Sequence, residues 1–206
     1  MTHATWSKDR KGGNTAIAHK RRIEHLFIVA GVPTSGKTTL IQRLVSGELG
    51  AIADEIGFEA DKDWVVQHFK KIGDADTDSP ANILLHYNIT QHLIDGDVYR
   101  HDRSLLDLIR VASRVTVVSL WCSPEELARR YNAERAGTVV QRYLSRPHKK
   151  KKRILRSLFE KEDATIELFA DWFNFVKRNV RNAHVIVQED QNRVIDIEQW
   201  KGLYRA

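Results

Sequence analysis

The sequence predicts an α/β protein with three layers, α/β/α, built on a mostly parallel sheet of about five strands. From residue 23 onward, short apolar runs alternate with segments whose apolar residues recur at helical spacing. Alternation of this kind produces parallel strands with helices on both faces of the sheet. A glycine-rich loop also joins the first strand to the first helix. The length of 206 residues suits one domain.

Apolar runs locate four of the strands. Each run is short and apolar, which favours a parallel strand buried on both faces. The first run leads directly into the glycine-rich loop, which begins at Gly31. The four predicted strands are residues 24–30, 82–88, 114–121 and 183–187.

Helical spacing of apolar residues predicts the elements between the strands. The first helix turns Val45 inward and ends at Gly47, and the last helix turns Leu203 inward. Serine at the N-cap, proline at N1 and glutamate at N3 give the helix that follows Ser123 a capping box. The predicted helices are residues 36–45, 61–72, 104–113, a segment from 123 onward, 157–179 and about 195–204. Within residues 61–72 the apolar face consists of Trp64, Val65, Phe69 and Ile72.

Composition argues against several classes of protein. No apolar run approaches the roughly 18 residues that a membrane span needs, and residues 1–22 lack the apolar stretch of a signal peptide. Cys122 is the only cysteine, so an internal disulfide is excluded, which fits a reducing compartment. We therefore expect a cytoplasmic protein without a membrane span.

Positive charge is concentrated in two segments of a chain whose net charge is +6. Residues 1–22 carry six Lys/Arg and one acidic residue, contain two adjacent glycines and show no period, so we expect a disordered basic arm. Residues 135–156 carry nine Lys/Arg and no acidic residue. Basic segments attract polyanions such as nucleotides, nucleic acid or acidic membrane surfaces.

The glycine-rich loop, residues 31–38, fits the pattern G-x-x-x-x-G-K-S/T at every defined position. Gly31 and Gly36 permit backbone angles and close approaches that a Cβ would block. Backbone N–H groups can then converge on a β-phosphate at the positive end of the following helix. Lys37 is expected to bridge the β- and γ-phosphates, and the Thr38 hydroxyl to bind Mg²⁺. The predicted nucleotide-binding residues are Gly31, Pro33, Thr34, Ser35, Gly36, Lys37, Thr38 and Thr39.

This loop, in its strand–loop–helix context, resembles that of the P-loop NTPase superfamily, and the resemblance covers about residues 23–205. No N-K-x-D for guanine is present, and no strand ends in the acidic residues of mechanical ATPases. Residues 116–130 resemble the strand and helix that precede the lid of small-molecule and nucleoside monophosphate kinases. The resemblance implies ATP or another nucleoside triphosphate, Mg²⁺, and a kinase that phosphorylates a small anionic acceptor.

The same resemblance implies a basic lid at about residues 135–156, whose cations stabilise the charge that develops on the transferred phosphoryl group. The candidate lid residues are Arg135, Arg142 and Arg146. A catalytic acid or base is sought after the strand at 82–88, with His86 and Asp95 as the leading candidates. The wider set of candidates is Asn88, Asp97, His101 and Asp102. Residues 48–80 would supply an acceptor pocket, with Trp64, His68 and Phe69 as candidate lining residues.

Two other functions stay open at this point. A sulfotransferase uses a related loop to hold a 3′,5′-bisphosphate donor, although such enzymes generally lack the Gly-Lys pair found at residues 36–37. A nucleotide-dependent switch or nucleic-acid-binding module would use the two basic segments instead. These segments contain only Trp6 and Tyr143 as aromatic residues, so nucleic acid is not the favoured partner.

Overall fold

A six-stranded sheet organises the part of the chain that the computed structural model describes, which is residues 23–69, 81–90, 100–136, 158, 161–188 and 192–204. The strands lie in the order β2-β3-β1-β4-β5-β6, and all neighbours are parallel except β5 and β6. The strands are β1 (Ile23–Gly31), β2 (Trp64–His68), β3 (Ala81–Asn88), β4 (Ala112–Trp121), β5 (Asn182–Val187) and β6 (Arg193–Ile195). The predicted α/β class with a mostly parallel sheet is confirmed.

Six helices connect or follow these strands within the described residues. They are α1 (Lys37–Val45), α2 (Gly50–Glu55), α3 (Arg100–Val111), α4 (Pro124–Ala136), α5 (Glu162–Asn179) and α6 (Ile197–Tyr204). Gly47 follows α1 with φ 75°, the left-handed conformation that commonly ends a helix and that glycine adopts without strain. None of the described helices has the length and apolar character needed to cross a membrane.

Both faces of the sheet are buried at its central strand β1, as the continuous apolar run of that strand predicts. Leu26 and Ile28 point into one apolar cluster, whereas Phe27 and Val29 point into a second cluster, and all four are fully buried. The first cluster contains residues of α5 and α6, and the second contains residues of α1 and α2. Side chains alternate along a strand, so β1 forms the middle layer between two helical layers.

The central position of β1 determines where loops can meet. Its neighbours are β3 on one side and β4 on the other, so the chain reverses its direction of winding at β1. In the β1–β3 register, Gly31 is opposite Asn88, which brings the carboxyl ends of these two strands to one level. Ligands of parallel α/β sheets bind in the crevice at such a switch point.

The predicted helix at residues 61–72 is wrong, because residues Trp64–His68 form the edge strand β2. Val65 and Val66 are β-branched, which favours a strand, and β2 pairs in parallel with β3. The Trp64 indole stacks on Phe58, with ring centroids 4.8 Å apart. Helical spacing of apolar residues therefore coincided here with a short half-buried strand, a segment in which periodicity does not separate the two structures.

Two residues expected to face inward are exposed, and the predicted helix at residues 104–113 ends earlier than expected. Val45 is 46% exposed and Leu203 is 54% exposed, while Ala112 is the first residue of β4. Val45 follows Leu44 by one position, which is about 100° around the helix. Leu203 is six positions after the buried Ile197, or about 120° around the helix, and therefore leaves the buried face of α6.

The buried His25 predicts acid sensitivity of the fold. Its side chain is 1% exposed, and Nε2 lies 3.0 Å from Thr116 Oγ1. Burial, followed by the charge of Arg114, lowers the pKa of His25 to about 4. The unfolded chain binds a proton near pH 6.5, so stability is present above that pH and is lost as the pH falls toward about 4.

We expect the free energy of unfolding, measured with urea, to fall between about pH 7 and about pH 4.5, with His25 contributing about 2 kcal/mol of the loss. In His25→Gln the dependence on pH over this range should flatten by that amount, since glutamine does not titrate. Parallel curves for the wild type and the variant would show that His25 is not the group responsible.

Candidate functional site

The glycine-rich loop turns back on itself directly after β1. A Cβ on Gly31 would lie 2.6 Å from Ser35 Oγ and 3.2 Å from the carbonyl oxygen of Leu120. Both contacts are closer than a real Cβ tolerates comfortably, and Ser35 is fully buried. The Ser35 N–H donates to the carbonyl of Val32 at 3.3 Å, which closes the turn. Glycine at position 31 is therefore required by close approach within the loop.

Helix α1 begins at the loop without a side-chain cap. Its N-cap is Gly36, with φ 82° and no side-chain hydrogen bond, and its first turn contains no acidic residue. The first N–H groups of a helix have no partner within the helix, and they carry the positive end of the helix dipole. This end of α1 opens onto the loop, so it offers hydrogen-bond donors and partial positive charge to an anion.

Lys37 lies across the loop and is almost fully buried, with 4% of its surface exposed. Its Nζ donates to the carbonyl of Val32 at 2.5 Å and to Ser35 Oγ at 3.4 Å. A buried ammonium group requires polar or anionic partners. The loop carbonyl and hydroxyl supply part of this requirement and hold the side chain in place.

Thr34 has a backbone conformation that non-glycine residues rarely adopt, with φ 66°. Its Oγ1 is buried and has no hydrogen-bond partner among the described residues. The conformation is disfavoured for a residue with a Cβ, and strain of this kind is commonly retained at ligand sites. Thr34 also lines the cleft next to the loop.

A cleft of about 570 Å³ opens in front of the loop and α1. Its floor comes from the loop, one wall from the end of β3, and the other wall from α4. The lining residues are Pro33, Thr34, Gly36, Lys37, Thr38, Thr39, His86, Asn88, Arg129, Arg130 and Ala133. Every charged residue in this set is a cation, so the described part of the cleft suits an anion.

Arg130 of α4 lies beside the loop. Its Nε donates to Glu126 Oε1 and its Nη1 donates to Gln188 Oε1, both at 2.6 Å. The same Nη1 lies 4.0 Å from the position that a Cβ on Gly36 would occupy. The side chains of Glu126 and Gln188 therefore hold the guanidinium of Arg130 beside the N-terminus of α1.

Glu126 positions two arginines of α4, Arg129 and Arg130. Arg129 donates twice to the Glu126 carboxylate, at 2.6 Å each. These bonds, with those from Arg130, lower the pKa of Glu126 to about 2. The Ser123 hydroxyl accepts the N–H of Glu126 at 3.3 Å, so only the serine half of the predicted capping box forms. The Glu126 side chain instead binds the arginines that face the cleft.

The cations that line the described cleft were not among those selected from the sequence. The selected residues were Arg135, Arg142 and Arg146, whereas Arg129 and Arg130 line the described cleft. The available signal was the spacing of Glu126 to these two arginines at i+3 and i+4 on one helix, which holds cations on one face.

His86 stands at the wall formed by β3. Burial lowers its pKa to about 4, with further contributions from the positive charge of Lys37 and from His68. Its ring is therefore neutral at neutral pH and can accept a hydrogen bond. The ring centroid of His68 lies 4.6 Å away. Asn88 Oδ1 accepts from the N–H and hydroxyl of Thr90 at 3.1 and 2.9 Å, which shapes the turn after β3.

Most of the candidate loop residues line one cleft together with His86, whereas Gly31 and Ser35 do not line it. The two candidate positions at the sheet edge, His86 and Asn88, share the cleft with the loop. Arg135 lies in α4, and His101 and Asp102 lie in α3. The side chains of these three residues are outside the described part of the chain. The other predicted site residues lie outside the described ranges altogether: Asp95, Asp97, Arg142 and Arg146.

The candidate residues for an acceptor pocket divide between two locations. Trp64 packs on Phe58 in the core, and Phe69 contacts the buried Tyr87 edge to face. His68 instead lines a second cavity beside the cleft. Of the three residues, His68 is therefore the one that lines a cavity in the described part of the chain.

A divalent cation would find few protein ligands here. No group of three or more His, Cys, Asp or Glu residues suited to a metal occurs in the described part of the chain. Thr38 is exposed and lines the cleft. Mg²⁺ is commonly held by one or two protein oxygens together with substrate phosphates and water, so Thr38 fits the ion only in the company of a bound phosphate.

Comparison with known proteins adds no assignment to this geometry: no protein-family model and no curated protein matches the chain. The chemistry therefore follows from the site itself. Backbone N–H groups, a buried lysine and two arginines surround a cleft of about 570 Å³. That arrangement can bind an extended polyphosphate and stabilise negative charge on it.

Proposed function

We propose that the chain is a P-loop NTPase that binds a nucleoside triphosphate, with ATP as the first candidate, and transfers the γ-phosphoryl group to a small acceptor with Mg²⁺. The observation that carries this proposal is the strand–loop–helix unit at residues 31–38. There Lys37 and the uncapped N-terminus of α1 face the same cationic cleft. The central position of β1 in the sheet supports the same interpretation.

Within this proposal the loop holds the phosphates. The N–H groups at the start of α1 bind the β-phosphate, and Lys37 reaches the β- and γ-phosphates from its position over the loop. The Thr38 hydroxyl would contact Mg²⁺, which when bound neutralises phosphate charge. Thr39, also exposed in the cleft, contacts the α-phosphate region.

Arg130 supplies a fixed positive charge where the transferred group would develop negative charge. A cation already oriented by Glu126 and Gln188 does not have to reorganise during the reaction, which is the main advantage of electrostatic preorganisation. Arg129 has the same charge, but its side chain is 70% exposed. Its contribution is therefore weakened by solvent.

Arg135, Arg142 and Arg146 keep their proposed role in a lid at residues 135–156. In that role they close over the triphosphate and exclude water from the reaction. Amide hydrogen exchange across residues 135–156 should then slow when ATP and Mg²⁺ are added, whereas exchange in residues 1–22 should not change.

A second candidate is a sulfotransferase-like enzyme that binds a 3′,5′-bisphosphate nucleotide. The observation in its favour is that the described lining of the cleft contains no carboxylate, so no described acidic residue is placed to orient a metal. The complete Gly-Lys-Thr sequence at residues 36–38 favours the triphosphate instead.

Thermal denaturation with a panel of nucleotides separates these candidates. The panel contains ATP, GTP, ADP and adenosine 3′,5′-bisphosphate, each with Mg²⁺ and with EDTA. A ligand at about 100 times its dissociation constant stabilises the fold by about 2.7 kcal/mol. We expect the largest shift with ATP and Mg²⁺. A shift only with the bisphosphate, independent of Mg²⁺, would favour the sulfotransferase candidate, and no shift with any nucleotide would contradict both.

Thr38→Ala should weaken ATP binding about tenfold with Mg²⁺ present and less than threefold in EDTA, because only the metal-dependent complex uses the hydroxyl as a ligand. Thr39→Ala is the matched control, since this adjacent threonine also lines the cleft. It should lose affinity equally in both conditions. Isothermal titration measures both variants, and equal losses for Thr38→Ala with and without Mg²⁺ would contradict its proposed role.

A further inference from the structure

A second cavity lies beside the phosphate cleft, between α1 and the edge strand β2, with a volume of about 410 Å³. Its lining residues are Thr38, Ile41, Gln42, Val45, Ser46, Val66, His68 and His86. Thr38 and His86 line the cleft as well. The two spaces are therefore neighbours across these side chains, with the phosphate end on one side and this second cavity on the other.

The lining of the second cavity is mainly apolar and carries no Asp, Glu, Lys or Arg among the described residues. Val45 is 46% exposed and Val66 is 49% exposed, and both belong to the small set of large apolar side chains that the described chain leaves open to solvent. Exposed apolar surface that lines a concave site is typical of a ligand pocket. A charged ligand would lose its hydration here without gaining an ionic partner.

Two histidines stand together on the strand side of this cavity, while Thr38, Gln42 and Ser46 are its polar residues on α1 or directly after it. His68 and His86 are direct partners in the register of β2 and β3, with ring centroids 4.6 Å apart. His86 has a neutral ring, for the reasons given above, and lines both cavities. A hydroxyl group that donates to His86 would consequently lie between the apolar cavity and the site of Lys37 and Thr38.

We propose that the second cavity is the acceptor site of the phosphotransfer, and that the acceptor is an uncharged molecule with an apolar body and one hydroxyl group. This inference depends on the proposed function and differs from the anionic acceptor expected from the sequence. The apolar body lies against Val45, Val66 and Ile41, and the hydroxyl lies at His86.

Phosphoryl transfer to such an acceptor forms one bond to the γ-phosphorus and breaks another. The hydroxyl oxygen forms a bond to the γ-phosphorus, while the bond from that phosphorus to the β,γ-bridging oxygen breaks and its electron pair leaves with the nucleoside diphosphate. The hydroxyl proton passes to the neutral ring nitrogen of His86 and from there to water. A carboxylate on the body of the acceptor would have to be buried against the two valines, which explains the selection for an uncharged molecule.

Two matched probes test this assignment without nucleotide: para-methylbenzyl alcohol and para-(hydroxymethyl)benzoate. Both probes carry the same hydroxymethyl group on a benzene ring. The para substituent is an uncharged methyl group in the first probe and a carboxylate in the second. Binding is followed by the methyl NMR signals of Val45 and Val66. We expect the alcohol to shift these signals and to bind at least tenfold more tightly than the benzoate.

Two variants of one strand complete the experiment. Val66→Asp places a charge in the cavity and should weaken binding of the alcohol at least tenfold. Val65→Asp is the control, because Val65 is 37% exposed on the same strand and does not line the cavity; it should change binding less than twofold. Failure of the alcohol to bind, tighter binding of the benzoate, or equal effects of the two variants would overturn the proposal.

Titration of ATP into the same proteins keeps the two proposals distinguishable. Val66→Asp should leave ATP affinity within about twofold of the wild type, because Val66 does not line the phosphate cleft. Binding of the alcohol without any binding of ATP would refute the proposed function and leave an apolar ligand site. Binding of ATP without binding of the alcohol would refute the acceptor class alone.

Discussion

Lys37→Met is expected to weaken ATP binding at least about 100-fold and to leave the fold intact. A hydrogen bond from a charged donor contributes roughly 1.5–3 kcal/mol, and Lys37 is placed to make such bonds to two phosphates, which corresponds to a factor of about 100 or more. Methionine fills a similar volume, so the loop around the buried side chain should retain its packing.

Lys62→Met is the matched control for this experiment. Lys62 forms an ion pair with Glu59 at 2.9 Å, and Glu59 also binds Arg114 near the amino end of β4. This cluster therefore lies at the end of the sheet opposite the cleft. Isothermal titration should show unchanged ATP affinity in Lys62→Met. Equal affinity in Lys37→Met, with an unchanged urea unfolding curve, would refute the assignment of the loop.

Arg130→Met is expected to lower ATP turnover about 100-fold while it weakens ATP binding less than tenfold. The reason is that a preoriented cation acts chiefly on charge that develops in the transition state. Turnover is measured as release of the nucleoside diphosphate, and affinity is measured separately by titration.

The variant Arg129→Met tests whether the effect on turnover is specific to Arg130 or arises from any positive charge that lines the cleft. Arg129 donates to the same Glu126 carboxylate and lines the same cleft, but it is mostly exposed and lacks the bond to Gln188 that holds Arg130. We expect a change in turnover of less than fivefold. Similar losses in both variants would indicate that α4 contributes only a diffuse positive field and that Arg130 has no specific position.

The sequence predicted those parts of the fold in which local pattern and burial agree. The run of β1 is apolar at each position from 26 to 30, so its burial on both faces followed directly. In contrast, β6 has three residues, too few to show a period. Strand β2 leaves both of its valines exposed and half-buries only Trp64 and Gln67, so its burial shows no alternation, and its apolar residues also satisfied a helical interpretation.

In the candidate site too, the sequence predicted the contiguous residues but not the contacts between distant ones. Residues 31–38 are contiguous, so their pattern carries the geometry of the loop. Arg130 and Gln188 are 58 positions apart and meet only because β4 and β5 are neighbours in the sheet. The second cavity depends on Val45 and Val66. The helical interpretation of the sequence had assigned Val45 to the core and had not included Val66 in an apolar face. Contacts of this kind require the strand order, which the sequence pattern does not contain.

The central claim is that a triphosphate binds along residues 31–38. A crystal structure with Mg²⁺ and a non-hydrolysable ATP analogue tests it most directly. We expect the β-phosphate against the backbone N–H groups at the start of α1, Lys37 Nζ within hydrogen-bond distance of the β- and γ-phosphates, and Arg130 beside the γ-phosphate. A triphosphate bound elsewhere, or a Lys37 side chain that makes no contact with the phosphates when the nucleotide is present, would contradict the claim.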